Sequence, residues 1–331
     1  MAASSPAFTE PVFRFAPSPN GRLHLGHALS VLTNERLARK LGGRLLLRIE
    51  DIDVTRCKPE FEAGIREDLA WLGLRFDGAV RRQSEHFESY AEAVRGLQAR
   101  RLVYPCFCSR QMIKRAVGLH KAWPVDPDGA PLYPGTCRAC GPAEAATRIR
   151  AGEPHLLRLA MDRAIEVLDH GAFGRFRPNA KNVIDSWSLE HCSREKPVPT
   201  FSRNALGGAA DYVAFDEAGH ERRVVAQPVR WGDVVLARKE VPTSYHLSVV
   251  FDDALQGVTH VVRGRDLEAA TDIHVVLQRL LGLPMPRYHF HPLLSDETGQ
   301  KLAKSRLSES LADLRARGVT AGEIRAQLGF G

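Results

Sequence analysis

Two histidines, His24 and His27, flank Gly26 in the run RFAPSPNGRLHLGHA at residues 14–28. At a helix start, imidazoles at that spacing stand one turn apart on a single face. There they can donate hydrogen bonds to phosphate oxygens as negative charge builds during displacement at phosphorus. The helix start adds unpaired N–H groups and the positive end of the dipole, and Gly26 lets the backbone approach such a ligand closely. Far downstream, KLAKS at 301–305 sets Lys301 and Lys304 three apart in a polar, glycine-bearing stretch, DETGQKLAKSRL. Two lysines so placed can close over a triphosphate as point charges and then release pyrophosphate. A third constellation is sulfur: Cys106 and Cys108 form C-x-C, Cys137 and Cys140 form C-x-x-C, and 28 residues separate the pairs. Cys106, Cys108 and Cys137 with one more ligand would close a tetrahedral Zn2+ site. Saturated by protein, that zinc would be structural. Cys140 is the usual ligand type for the fourth place.

These groups need a scaffold. Residues 12–16 (VFRFA) read as a short apolar strand, followed by the turn PSPNGRL. From His24 the pattern turns helical, with Leu25, Leu29, Leu32 and Leu37 near helical spacing up to Gly42 and Gly43. RLLLRIED then reads as a buried parallel strand, 59–73 as a helix opened by Pro59, and 84–101 as a helix with Tyr90, Ala93, Val94 and Leu97 on one face. A β-turn-α-β-α opening is the start of a doubly wound sheet.

The cysteine-bearing stretch 104–141, rich in Pro and Gly, interrupts that pattern as a small insertion packed on the sheet, and 142–152 resumes a helix. From 171 to 228 no period is sustained, and the spacing predicts a loose insertion without chemistry. Order returns with a strand in WGDVVLARK, apolar runs and turns through SYHLSVVFDDALQGVTHVVRG, a helix over 271–282, a strand near 288–294 and a closing helix over 308–317. The expected organisation is therefore 12–103 as the first half of an α/β catalytic domain, 104–141 as a zinc-binding insertion, 142–228 as a connective region, and 229–331 as the second half with a helical end.

Composition narrows the class. The chain has 331 residues, 44% of them hydrophobic, with no apolar run of membrane-spanning length. Its first residues carry no basic segment followed by an apolar stretch, so the expectation is a soluble cytoplasmic protein. A formal net charge of +7 suits a polyanionic partner such as RNA or phosphate-bearing substrates. Six cysteines in a chain of this length do not read as a disulfide framework, and Cys57 and Cys192 have no evident partner.

Taken together, HLGH near the start and KLAKS near the end resemble the HIGH and KMSKS pair of the class I aminoacyl-tRNA synthetases. KLAKS departs at two positions and keeps both lysines. FAPSP-G-LHLGHA, LRIEDID, YHLSVVFDDALQGVTHVVRG and the C-x-C cluster resemble the glutamyl subgroup, over about residues 12–305 apart from 171–228. The fold implied is a Rossmann-type catalytic domain. Only 26 residues follow KLAKS, where synthetases that charge the tRNA 3′ end carry an anticodon-binding domain. In this the chain resembles the glutamyl-Q tRNA(Asp) synthetases, which activate glutamate without tRNA and transfer it to the queuosine base of the tRNA(Asp) anticodon.

That resemblance implies L-glutamate, ATP with Mg2+, and queuosine-bearing tRNA(Asp) as partners, and a monomer. It places Arg14, Phe15, Ala16, Pro17, Ser18, Glu50, Tyr245 and Arg263 around glutamate. It gives His24, Gly26, His27 and Lys304 to ATP, and the fourth zinc position to Tyr133 in LYPGTCR, with Cys140 the rival. The charges agree: arginines can fork onto the two carboxylates of glutamate, and Glu50 can meet its ammonium. No nucleophilic side chain is required, because ATP activates the substrate and positioning supplies the rate. Asp252 and Asp253, which alone suggest metal-assisted hydrolysis, fall inside the resembling block and read as structural. Two alternatives stay open: a compact synthetase charging the 3′ end, and a non-catalytic RNA-binding descendant.

Overall fold

The computed structural model describes residues 10–169, 210–294 and 309–331; Lys301, Lys304 and Cys192 lie outside them. β1 (Val12–Phe15) is buried at every position and β2 (Arg44–Ile49) at all but its first. Such continuous burial is what strands covered on both faces require. α1 (Leu25–Lys40) crosses between them, and the two strands pair in parallel with Phe13 opposite Leu45. α2 (Pro59–Trp71), with Pro59 in its first turn, leads to the short parallel β3 (Arg81–Arg82).

α3 (Phe87–Ala99) then carries the chain to β4 (Val103–Cys106), α4 (Arg110–Gly118), α5 (Pro142–Arg150), β5 (Leu156–Leu159) and α6 (Met161–Asp169). After 210 come β6 (Asp211–Phe215), β7 (Glu221–Val225), β8 (Val235–Arg238), α7 (Tyr245–Leu255), β9 (His260–Gly264), α8 (Thr271–Leu281) and β10 (Arg287–His291). α9 (Leu311–Ala316) and α10 (Ala321–Gln327) close the chain.

β10 runs parallel to both β9 and β6, and β7 forms an antiparallel edge on β6. β9 starts beside β1: the Val12 amide donates to Thr259 Oγ1 at 2.8 Å and the Thr259 amide to the Val12 carbonyl at 2.9 Å. Through these bonds the three-stranded sheet 3-2-1 and the four-stranded sheet 9-10-6-7 meet edge to edge, in the order 3-2-1-9-10-6-7. Connections leave β1 towards one edge and β9 towards the other, so a crevice opens beyond their carboxyl ends, the position where doubly wound sheets bind ligands.

α9 and α10 start with reciprocal capping boxes, Ser310 with Asp313 and Thr320 with Glu323. Leu311, Leu314 and Ile324 bury against Leu23, Val31, Ile65 and Leu69 of the α1–α2 layer, and Arg325 ties Glu35 at 2.6 Å. The C-terminal helices thereby brace the helix that carries HLGH.

Several expectations change. The stretch 171–228 was expected to be loose, yet its described part holds β6 and β7, strands of the main sheet. WGDVVLARK does supply a strand, but β8 joins β4 and β5 in a separate antiparallel sheet, and this smaller sheet carries the cysteine insertion. SYHLSVVFDDALQGVTHVVRG resolves into α7 and β9; Leu247, Val249, Val250 and Phe251 are all buried. Burial around most of a helix leaves no clean period to read.

Candidate active site and cysteine cluster

A cleft of about 590 Å³ lies at the switch between β1 and β9. Its walls include Arg14, Phe15, Ala16, Pro17 and Ser18 from the end of β1, His24, Gly26 and His27 from the start of α1, and Glu50, Tyr245 and Arg263. Residues singled out from four separate stretches of sequence thus converge on one crevice. Lys301 and Lys304 lie outside the described residues; the described residues nearest to them in sequence border this cleft. Leu294 is part of its wall, and Ser310 forms a bridge to His24 while the Leu311 amide donates to the Leu23 carbonyl at 2.8 Å.

The two histidines do structural work as well. His24 is the N-cap of α1: its Nδ1 accepts from the Gly26 amide at 3.0 Å, and His27 Nδ1 accepts from the His24 amide at 3.2 Å. Both Nδ1 atoms being acceptors, each neutral ring carries its proton on Nε2. Each imidazole in the cleft wall is therefore a donor on its far edge. A Cβ at position 26 would come within 2.9 Å of the His24 ring, so the glycine makes room for the capping imidazole. That reason is local, and it stands beside the close approach to a ligand expected from sequence.

Behind the cleft lies an ion-pair chain that sequence reasoning missed. Arg48, fully buried, reaches Asp253 at 2.7 Å, Glu50 at 3.2 Å and Gln256 at 3.1 Å, and Arg14 meets the same Asp253 oxygen at 3.1 Å. Burial opposes ionisation of Asp253, yet Arg14 and Arg48 hold it below the usual carboxylate range. At Glu50 the balance reverses: burial pushes its carboxyl up in spite of Arg48 and Arg14. Its ionised form therefore gains from a further cation in the cleft. Asp252 turns the other way, to Arg81 at 2.7 Å, Gln83 at 2.9 Å and Tyr90 at 2.8 Å, the structural role expected for this pair.

Tyr245 opens α7, and burial, then the Glu50 charge, pushes its phenol up, so it stands as a neutral hydroxyl. Arg263 is 5% exposed; its Nη2 donates to Thr271 Oγ1 at 2.6 Å and its Nη1 to His274 Nδ1 at 3.0 Å. Thr271 and His274 carry no sequence signal of their own, whereas Arg48, inside LRIED, and Asp253, inside YHLSVVFDDALQGVTHVVRG, stood in stretches already singled out.

Away from the cleft, the sulfurs of Cys106, Cys108 and Cys137 all lie within 4.8 Å of one another. Tyr133 Oη sits 3.2 Å from Cys106 Sγ and 3.4 Å from Cys108 Sγ, and it accepts from the Cys137 amide at 2.8 Å. Thiolates on a tetrahedral zinc stand about 3.8 Å apart, given Zn–S bonds of about 2.3 Å. The Cys108–Cys137 separation of 3.4 Å is close to that edge, so these side chains fit the ion. Cys140 turns away, its thiol against the Gly141 carbonyl at 3.9 Å. Cys57 rests under the cleft, 3.7 Å from Ser18 Oγ.

Against known proteins, the family described as tRNA synthetases class I (E and Q), catalytic domain, matches residues 12–201 and 210–323. A protein of Rhodobacter capsulatus named Glutamyl-Q tRNA(Asp) synthetase is 43% identical over 326 residues, 96% of this chain and 100% of its own. One of the same name from Symbiobacterium thermophilum is 35% identical, over 96% of this chain and 85% of its own. A solved glutamate tRNA ligase from Elizabethkingia meningosepticum, in complex with its amino acid, superposes with a TM-score of 0.63 at 21% identity. That alignment covers 89% of this chain and 52% of the ligase, so the chain spans about half the ligase's length, and the likeness is one of fold alone.

Proposed function

Because the chain belongs to the catalytic-domain family of the class I tRNA synthetases for glutamate and glutamine, we propose that its cleft activates L-glutamate with ATP and that the product is passed to the queuosine base of tRNA(Asp). The observation that carries this is the convergence, in one crevice at the β1–β9 switch, of a cationic Arg263, a carboxyl at Glu50 and two Nε2–H donors at the start of α1. End-to-end similarity to a glutamyl-Q tRNA(Asp) synthetase supports the choice of acceptor.

A glutamate carboxylate oxygen attacks the α-phosphorus of ATP, a P–O bond forms, and the bond to pyrophosphate breaks. His24 and His27 donate to phosphate oxygens as charge shifts towards the leaving group, and the dipole of α1 adds to that field. Arg14, Tyr245 and Arg263 hold the substrate carboxylates, and Glu50 takes the ammonium that its burial favours. Ser18 and the backbone from Phe15 to Pro17 shape the floor. Lys301 and Lys304, two point charges three residues apart in KLAKS, would meet the triphosphate with its Mg2+. The acceptor then displaces AMP from the mixed anhydride.

The cysteine cluster takes a structural zinc through Cys106, Cys108, Cys137 and Tyr133. All four ligands come from protein, so the ion would join β4 to the insertion and take no part in chemistry. The chain acts as a monomer in this reading.

The test is ATP–pyrophosphate exchange with glutamate in the absence of tRNA, followed by transfer to queuosine-containing tRNA(Asp). The expected outcome is exchange without tRNA and base-labile label on that tRNA. Exchange only with tRNA(Glu), with label at its 3′ end, would replace this reading with a compact synthetase that charges the terminus.

A further inference from the structure

The two arginines of the cleft are held in different ways. Arg14 shares the Asp253 carboxylate with Arg48, so its charge is largely met by protein. Arg263 is as deeply buried, yet among the described residues no carboxylate pairs with it. Its acceptors are a hydroxyl and an imidazole, Thr271 and His274, and its Nε–H is buried without a partner. The faces of Tyr288 and Phe290 lie 5.3 Å and 5.7 Å from its guanidinium carbon, a hydrophobic and weakly cation-stabilising backing. An uncompensated buried guanidinium is costly unless an anion arrives to meet it.

The direction of the hydrogen bonds behind Arg263 follows from chemistry. A guanidinium only donates, so His274 Nδ1 accepts and the His274 proton sits on Nε2. His274 Nε2 then donates to His246 Nδ1 at 3.2 Å. Burial, then the nearby Arg263 charge, lowers His246 to about 4 and His274 well below its usual value. Tyr245 packs its ring against both, with centroids 5.4 Å and 5.8 Å away.

From this geometry we infer that Thr271, His274 and His246 form a positioning relay that fixes the plane of Arg263 through uncharged acceptors. The charge of Arg263 is thereby left for the substrate, and the site takes a carboxylate in preference to the carboxamide of glutamine. An acidic residue at 274 would orient Arg263 equally well and cancel its charge. The neutrality of the relay is the specific claim, and it rests on the glutamate-activating reading above.

Two isosteric replacements isolate it. His274→Asn puts an uncharged acceptor near the position of Nδ1, and His274→Asp puts a charged one there. In glutamate-dependent exchange, His274→Asn should keep KM for glutamate within about threefold of wild type. His274→Asp should raise it about 10- to 100-fold and narrow the preference for glutamate over glutamine by about tenfold, with KM for ATP within about twofold. Equal behaviour of the two variants, or a matching rise in KM for ATP, would overturn the relay. Should both fail to fold, Thr271→Val against Thr271→Ser poses the same question, the valine alone raising KM for glutamate. Calorimetric binding of glutamate to the wild-type chain separates the failures. Binding without exchange defeats the synthetase reading while the Asn and Asp variants still test the relay by affinity; neither binding nor exchange defeats both.

Discussion

In the proposed reaction His24 serves twice with one ring: Nδ1 caps α1, and Nε2, with its proton directed away from the cap, would meet phosphate. Asparagine is among the best N-caps but has no imidazole edge to offer a phosphate. His24→Asn should therefore leave the urea midpoint near wild type while lowering tRNA-free exchange by about 100-fold. His24→Ala should lose both, with about 1 kcal/mol of stability going with the cap. If His24→Asn kept full exchange, the ring would be a cap and nothing more. The same residue shows why part of the site was legible. A histidine pair at helical spacing after a strand and turn announces itself, whereas two of the three partners of Arg48, Asp253 and Gln256, lie 205 and 208 residues away and only folding brings them together.

Among the elements, the cysteine insertion is the one that the proposed zinc would hold. Its helix α4 buries no residue at all, so little hydrophobic burial holds it. One zinc per chain is expected by elemental analysis of protein purified without chelator. Cys140→Ser should retain that stoichiometry, whereas Cys106→Ser should lose it and open the segment 104–141 to proteolysis. Full zinc in Cys106→Ser would refute the ligand set. Most buried elements are legible in the sequence: β1, β2, α1, α2 and α8 all lie within a few residues of expectation, with the buried β6 the exception, and α8 stops at Gly282, whose φ of +64° suits a residue without Cβ. β7 was missed for a physical reason. It is an exposed edge strand, ERRVV, with no buried side chain, so no alternation between core and solvent is written into it. β8 was seen as a strand, but which sheet it joins depends on pairing with Leu156–Arg158, information that its own residues do not contain.

For the whole molecule, several imidazoles are buried in the neutral state, and this makes stability fall with acidity. Burial lowers His246 and His260 to about 4, against about 6.5 in an unfolded chain. Between those values the unfolded chain binds protons that the native one refuses. The stabilising contribution is thus full above about pH 6.5 and is lost as the pH falls towards 4. Urea midpoints should drop steadily over that window, and His260→Gln, distant from the chemistry, should make the slope shallower by up to about 1.4 kcal/mol per pH unit. An unchanged slope would mean that His260 titrates normally in the fold. The bond between Val12 and Thr259 has a different consequence, one of timing. It joins residues 247 apart, and at about 5–20 residues per second a ribosome needs roughly 12–50 s to make the second after the first. Throughout that interval the β1 residues lack their β9 partner, and no shorter nascent chain can assemble the crevice. The apolar β1 segment of the growing polypeptide therefore stays open to aggregation until residue 259 of 331 has been made.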